Sequence, residues 1–153
     1  MKLEFRTTRL EAQPIVGIRA TVAMSEIGQA MGPLFGEVHG HIQQGGGKPA
    51  GMPLAIYHSP PGDTVELECA MPVDSAMAGA GRVRAGELPA GTAVTVTHVG
   101  PYDDLPQTWG ALTEWMKSQG LEAGGAPWEV YVTDPGAEPD QSKWRTDIFF
   151  PVR

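Results

Sequence analysis

Alternating apolar and polar residues mark several short stretches of the chain, and this alternation predicts β-strands. In the first half the stretches are KLEFRTTRLEA, PIVGIRATVAM, MPLAIYH and TVELECAMPV. They are rich in β-branched residues, and the turn-forming residues SPPGD separate the last two. The first half therefore predicts short strands joined by turns.

A different spacing interrupts these strands and predicts a helix that begins near Ser25. Serine is favoured at a helix N-cap, and the glycine-rich sequence QQGGGKPAG ends the segment. The apolar residues in between recur at helical spacing down one face: Ile27, Met31, Leu34, Phe35, Val38 and Ile42. Glycines at positions 28, 32, 36 and 40 predict a smooth stripe, where a second element could approach closely.

The second half of the chain shows the same order of patterns. GTAVTVTHV predicts a strand, and a helix follows near Asp103 or Asp104, with Pro106 in its first turn. The apolar face of this helix consists of Leu105, Trp109, Leu112 and Met116. PWEVYVT and KWRTDIFFPV predict two more strands. SAMAGAGRVRAGELPAG, which connects the two halves, predicts a loop with a short strand at RVR.

The two halves align with one another. GMPLAIY matches GAPWEVY at an offset of 74 residues, and ECAMPV matches DIFFPV at an offset of 79. The apolar faces of the two helices match at an offset of 78. We therefore predict one domain, residues 1–153, that holds two copies of a strand-helix-strand-strand unit: about residues 1–74 and about residues 82–153.

The alignment pairs two carboxylates in strands, Glu68 and Asp147, although strands disfavour aspartate. Because side chains alternate between the faces of a strand, one face of each copy should be apolar and the other should carry an acid and aromatic rings. We expect Glu68 to share this second face with Tyr57. Asp147 should share it with Tyr131 and Phe149. If pseudo-symmetry joins the copies, these faces meet in a central groove.

Such a groove is suited to a small lipophilic cation, because aromatic rings attract cations by about 0.5–2 kcal/mol each while a carboxylate balances the charge. The predicted ligand contacts are Glu68, Asp147, Tyr57, Tyr131, Phe149, Trp109, Tyr102 and His98. Several alternatives stay open. Both acids could be solvated on an outer sheet face, and Trp109 could belong to the core. Tyr102 could brace the second helix, and His98 could bond to the backbone.

Composition and charge narrow the function classes. A chain of 153 residues with 41% hydrophobic content suits one domain, and 11 basic against 18 acidic residues give a formal charge of −7. This charge disfavours direct nucleic-acid binding. No apolar run approaches the roughly 20 residues that span a bilayer, and the start of the chain lacks a signal-peptide core. We therefore predict a cytoplasmic protein without membrane association.

Metal, phosphate and thiol chemistry have little support in the sequence. His39 and His41 are two residues apart and point in different directions on a helix, so no metal site is predicted. GGGK at positions 45–48 follows a helix rather than a strand, unlike a phosphate-binding loop. Cys69 falls on an apolar face, where an inert buried thiol is expected. No cofactor is predicted.

The second half also resembles a known family. HVGPYDDLPQTWGALTEWMKSQG, GAPWEVYVTDPG and TDIFFPV resemble the GyrI-like small-molecule-binding domains, with their H-x-G-P-Y turn, helix, E-x-Y strand, D-P turn and final acid-x-x-x-P-V strand. The first half carries a weaker copy that ends ELECAMPV. The resemblance implies an α+β fold: a duplicated βαββ unit with pseudo-twofold symmetry, in which one curved antiparallel sheet carries two main helices on one face.

In this family the domain is the effector-binding part of multidrug-sensing bacterial transcription regulators, and it also occurs as a stand-alone protein. The resemblance implies that a buried acid surrounded by aromatic side chains binds cationic or lipophilic compounds. Asp147 matches the acid of the final strand, where the family commonly has Glu. Because 153 residues leave no room for a helix-turn-helix region, we expect the stand-alone form.

The resemblance to stand-alone members implies two further functions. Some members look like hydrolases that open the strained cyclopropane rings of DNA-alkylating compounds, for which Glu68, Asp147 and Tyr131 would be the catalytic residues. Others look like proteins that modulate DNA gyrase. We expect a binding protein first, a hydrolase second and a partner of gyrase third.

Overall fold

Two units, each with a sheet and a helix, make up the computed structural model, which describes residues 3–60 and 62–153. We name them after their places in the sequence. The central unit is Glu11–Ala90, and the terminal unit is the N-terminal segment through Leu10 together with Gly91–Arg153. In chain order the strands and α-helices are β1 (Arg6–Leu10), β2 (Gln13–Ala23), α1 (Ile27–Gln44), β3 (Leu54–Tyr57), β4 (Thr64–Pro72), β5 (Val83–Leu88), β6 (Gly91–Val99), α2 (Leu105–Ser118), β7 (Trp128–Tyr131) and β8 (Arg145–Pro151).

The central unit is an antiparallel sheet of four strands with α1 packed on one face. Its strand order is β3-β4-β2-β5, and α1 lies against β2 and β4. The predicted N-cap at Ser25 is wrong, because the helix begins at Ile27 after a short 3₁₀ turn and has no side-chain cap bond. The predicted apolar face is confirmed, since α1 buries Leu34, Val38 and Ile42 in the core of this unit.

The terminal unit repeats this arrangement with α2. Its strand order is β1-β6-β8-β7, all pairs are antiparallel, and α2 lies against β6. The predicted start of the helix is confirmed, with Asp104 as the N-cap and Pro106 in the first turn. The buried apolar residues of this core are Val94, Val96, Leu105, Leu112, Met116 and Ile148.

One edge strand of each unit lies outside the two copies of the strand-helix-strand-strand repeat. β2, α1, β3 and β4 form one copy of the repeated unit, and β6, α2, β7 and β8 form the other. The central unit gains β5, which pairs with β2, whereas the terminal unit gains β1, which pairs with β6. The predicted repeat boundaries at about residues 74 and 82, and the prediction of one domain, stay predictions.

The α+β class, the antiparallel pairing within each unit and the two main helices are confirmed. Among the residues that the structure describes, no helix is both long enough and apolar enough to cross a membrane.

Candidate functional site

The pairing register of the terminal unit places Glu129 on the face that carries α2. Directly opposed residues of an antiparallel pair point to the same face of the sheet. Ile148 on β8 is opposed by Val96 on one side and by Glu129 on the other. Because Val96 and Ile148 belong to the core under α2, the side chain of Glu129 points toward the helix as well.

Glu129 is a buried acid with a hydrogen bond to each carboxylate oxygen. Its exposed fraction is 2%. Trp109 on α2 donates its indole N–H to Oε1 at 2.8 Å, and Tyr131 on the same strand donates its hydroxyl to Oε2 at 2.7 Å. A carboxylate buried in a protein needs such donors to offset its lost hydration. The three side chains therefore form one polar network between the sheet and α2.

Aromatic rings extend from this network in two directions. The ring of Trp109 meets Phe150 edge-on, with ring centroids 6.4 Å apart. The ring of Tyr102, in the turn before α2, lies 5.6 Å from that of Tyr131 and 4.9 Å from that of Trp144. The site on the α2 face therefore combines one buried acid with a set of large rings, the composition that attracts organic cations.

The pKa of the Tyr102 hydroxyl is raised above its ordinary value. Burial is the largest cause, followed by the negative charges of Glu129 and Asp134, all of which disfavour the phenolate. Tyr102 is therefore a neutral hydrogen-bonding group at the edge of the site throughout the physiological pH range.

His98 anchors the turn that carries Tyr102. It is buried, and its Nε2 lies 3.0 Å from the carbonyl oxygen of Pro101, which can only accept a hydrogen bond. Its Nδ1 lies 2.7 Å from the hydroxyl of Thr108 on α2. In the neutral ring Nε2 therefore carries the proton and Nδ1 accepts from Thr108. The alternative in which His98 bonds to the backbone is confirmed, while its role as a ligand contact stays a prediction.

Next to His98 the site contains a buried hydroxyl for which the described residues provide no hydrogen-bond partner. Thr146 is opposed by His98 on β6 and by Tyr131 on β7, so all three lie on the α2 face. Within the described chain no hydrogen bond reaches the buried Thr146 Oγ1. Buried polar atoms are rarely left in this state, so this hydroxyl is an unused polar group beside the network.

Asp147 lies on the opposite face of the same sheet. It is opposed by Val130 and by Thr97, whose hydroxyl donates to Asp147 Oδ1 at 2.6 Å. The prediction that Asp147 shares a face with Tyr131 is therefore wrong. Alternation assigns faces within one strand, but the register between strands is one residue away from the one assumed, and such a shift exchanges the faces. Phe149 does share the face of Asp147, where it stacks on Trp128 at 5.7 Å.

Glu68 shows the same relationship in the central unit. It is opposed by Ile56 and by Arg19, whereas Tyr57 is opposed by the core residue Leu67 and so lies on the α1 face. The predicted shared face of Glu68 and Tyr57 is therefore also wrong. The carboxylate of Glu68 lies 2.8 Å from Nε2 of His58 instead. The predicted ligand or catalytic roles of Glu68 and Asp147 stay predictions.

Sequence reasoning missed the role of Glu129, although a signal for it was present. The E-x-Y spacing places Glu129 and Tyr131 on one face of a strand whatever its register. The comparison of the two repeats did not indicate Glu129, because the offset of 74 aligns it with Ala55. This acid therefore has no acidic counterpart in the first repeat.

The structure also shows the surroundings of the cysteine and of the side chains that could bind a metal. Cys69 is buried in the core under α1, where burial and then the negative charge of Glu68 raise the pKa of its thiol to about 12. No group of three or more metal-ligating side chains is found in the part of the chain that the structure describes.

Known structures share the fold over the full length of the chain. The C-terminal domain of EcmrR aligns with a TM-score of 0.89 and 24% identity, over 100% of this chain and 99% of that one. In the larger EcmrR–DNA complex the TM-score is 0.87 at 23% identity, and this chain, 99% of which is covered, spans 57% of the EcmrR chain.

Two further structures carry the same fold at lower identity. SAV2435 bound to tetraphenylphosphonium aligns with a TM-score of 0.73 and 16% identity, over 98% of this chain and 94% of that one. A hydrolase from Listeria innocua aligns with a TM-score of 0.65 and 16% identity, over 98% and 92%.

No curated protein matches the chain significantly. Residues 3–153, however, match the family described as the GyrI-like small molecule binding domain. This match covers nearly the whole chain and agrees with the H-x-G-P-Y turn, the E-x-Y strand and the fold of both units. The chain therefore belongs to the GyrI-like family of small-molecule-binding domains.

Proposed function

We propose that this protein binds a small lipophilic cation on the α2 face of the terminal unit, with Glu129 as the charge partner. The observation that carries the proposal is the buried Glu129 carboxylate, held by Trp109 and Tyr131. Both donors belong to aromatic rings, and a ring that donates to a carboxylate gains electron density, which strengthens its attraction for a cation. The acid thereby acts on a ligand through the rings as well as by its own charge.

The ligand class also has support from a related structure. SAV2435 shares the fold at 16% identity and was solved with tetraphenylphosphonium, a cation whose charge is surrounded by phenyl groups. The rings of Tyr102 and Trp144 provide a further apolar wall for such a molecule next to Tyr131. We therefore assign the walls of the site to Trp109, Tyr131, Tyr102 and Trp144.

The decisive experiment is calorimetric titration of the intact protein with tetraphenylphosphonium. Glu129→Gln keeps the size of the side chain but removes the charge, and we expect it to weaken binding at least tenfold, equivalent to about 1.4 kcal/mol. Glu68→Gln and Asp147→Asn are the matched controls, and we expect less than twofold change from either. If a control variant loses affinity while Glu129→Gln retains it, the charge partner is the acid predicted from the sequence and not Glu129.

Hydrolysis is a second candidate function, favoured by the short hydrogen bond between Tyr131 and Glu129. An acid and a phenol in contact can move a proton while water adds to a strained ring, so that one C–C bond breaks and a C–O and a C–H bond form. Incubation with an electrophilic cyclopropane compound should then give a product heavier by one water, detected by mass spectrometry. Tyr131→Phe should abolish it. Product formation no faster than in buffer excludes this function.

Two expectations from the sequence stay predictions. Modulation of DNA gyrase is tested by a supercoiling assay with the purified enzyme. A cytoplasmic location is tested by fractionation of cells that express the protein.

A further inference from the structure

The terminal unit carries a groove of about 350 Å³ that is separate from the proposed cation site. It is lined by residues of β1, β6 and β8 and by Glu4, and it includes the side chains of Arg6 and Arg145. This volume lies at the lower end of the range for ligand pockets, about 300–1,000 Å³. A small molecule would therefore fit.

The two arginines lie on the sheet face that points away from α2. Arg6 is opposed by Thr95, and Arg145 is opposed by Val99. Thr95, Thr97 and Val99 alternate with the core residues of β6 and so line this same face. The groove and the Glu129 network therefore occupy opposite faces of one sheet.

Both arginines can reach a molecule that lies over the middle of the groove. They are four residues apart along β6 and two strand spacings apart across the sheet, which places their Cα atoms roughly 16 Å from one another. An extended arginine side chain is about 6–7 Å long, so the two guanidinium groups can approach one ligand from two sides. Thr97 lies between them on the floor of the groove.

Neither guanidinium group forms an ion pair with an acid among the described residues. In the ion pairs formed by the described residues, no carboxylate lies within 4 Å of Arg6 or Arg145. The nearby Asp147 accepts the hydroxyl of Thr97 instead. Glu4 is the one acid in the lining, and Asp147 adds a second negative charge beside the groove on the same face. Among the described residues, the two guanidinium groups therefore form no ion pair of their own, on a chain whose formal charge is −7.

In the central unit, the corresponding surface carries an ion pair. Under the offsets of 78 and 79, Arg19 takes the place of Thr97 and Glu66 takes the place of Arg145. Arg19 and Glu66 form an ion pair with 3.1 Å between Nη2 and Oε2. The same position of the fold therefore holds an ion pair in the central unit, whereas in the terminal unit Arg145 forms no ion pair with a described residue.

From these observations we infer that the groove binds a small molecule through a carboxylate or phosphate group held between Arg6 and Arg145. Guanidinium groups bind both kinds of oxyanion through paired N–H donors, and they do so more specifically than the point charge of a lysine. This site would give the protein a second ligand of opposite charge to the first.

The test is NMR titration of the ¹⁵N-labelled protein with inorganic phosphate and, separately, with succinate, at constant ionic strength. We expect saturable shifts in the amides of residues 95–99 and 145, and the tighter of the two probes identifies the group. Arg6→Gln and Arg145→Gln should each weaken binding at least tenfold. Arg84→Gln is the matched control, because Arg84 is exposed and opposes Gly17, the residue aligned with Thr95. It should change affinity less than twofold.

Asp147→Asn gives an independent check with the opposite sign. It removes a negative charge beside the groove and keeps an acceptor for Thr97, so we expect affinity for the oxyanion to rise severalfold. The inference is overturned if neither probe gives saturable shifts, or if Arg84→Gln weakens binding as much as Arg6→Gln does. Its failure would leave the cation site unaffected, because Glu129→Gln tests different residues with a different probe.

Discussion

At the scale of single residues, the polar network of Glu129, Trp109 and Tyr131 depends on one difference between the two repeats. The position of Glu129 in one repeat is occupied by Ala55 in the other, and both are buried. Burying a carboxylate is unfavourable unless donors replace its water shell. Trp109 and Tyr131 provide those donors, so the three residues depend on one another.

This dependence predicts the effect of Trp109→Phe, which keeps a large ring and removes the indole N–H. Glu129 then loses the hydrogen bond from the indole in a site of 2% exposure, and we expect the free energy of unfolding to fall by about 1–3 kcal/mol. Urea denaturation measures the change. Trp115→Phe is the control, because Trp115 lies on the same helix and stacks on Phe5 at 5.6 Å. Equal losses in the two variants would show that the hydrogen bond contributes nothing specific.

Cys69 predicts a dependence of stability on alkaline pH. Its thiol has a pKa of about 12 in the folded protein, against an ordinary value of 9.0. The unfolded chain therefore loses this proton first, so the contribution is fully present below about pH 9 and is lost as pH rises toward 12. We expect it to lower the free energy of unfolding by about 2 kcal/mol between pH 8 and pH 10.5, as one pKa unit equals about 1.4 kcal/mol.

Urea denaturation at both pH values checks this effect against Cys69→Ala. The variant is less stable at either pH because it leaves a cavity, but its stability should fall less between them. Identical pH dependence in the two proteins would mean that the thiol titrates alike in the folded and unfolded chains.

At the scale of elements, α1 retains a row of small residues that nothing in its own surroundings explains. The helix contains Gly28, Gly32, Gly36 and Gly40. The sequence predicted that another element approaches this stripe, but a Cβ built at each of these positions finds no atom within 4 Å among the described residues. The glycines therefore reduce helix stability without a visible packing gain.

We accordingly expect Gly36→Ala to stabilise the protein by up to about 1 kcal/mol, because alanine has the higher helix propensity. Gly120→Ala is a control of opposite sign. Gly120 also has open space around it, but its φ of +69° is unfavourable for alanine, so the substitution should destabilise. Thermal unfolding of both variants gives the comparison. A loss of stability in Gly36→Ala would indicate that the stripe is covered in solution.

At the scale of the whole molecule, the terminal unit is built from two segments that are far apart in the sequence. β1 lies next to β6, and its neighbour in sequence, β2, belongs to the other unit. Periodicity revealed the helices, most strands and the repeat because these are local patterns. The partner of β1 and the register of β8 depend on pairing between distant segments, for which alternation carries no information. For this reason the sequence indicated Glu68 and Asp147 as strand residues but assigned them to the same sheet faces as Tyr57 and Tyr131, which is wrong.

The pairing of β1 with β6 predicts the effect of deleting residues 1–10. Without β1, the strand β6 becomes an exposed sheet edge, and Trp115 loses the stacked ring of Phe5. We expect hydrogen exchange to accelerate chiefly in β6 and α2, with smaller changes in residues 11–90. Arg9→Gln, which leaves the strand in place, should have little effect. Uniform acceleration over the whole chain would show that the two units unfold together.

The placement of β1 also makes the chain a candidate for circular permutation. The start of β1 and the end of β8 lie in the same unit, with only β6 between these strands. A linker of roughly eight extended residues would connect them. A protein reordered to start at Glu11 and finish at Leu10 would then contain each unit as one uninterrupted segment, so that either could be synthesised, labelled or fused as a block.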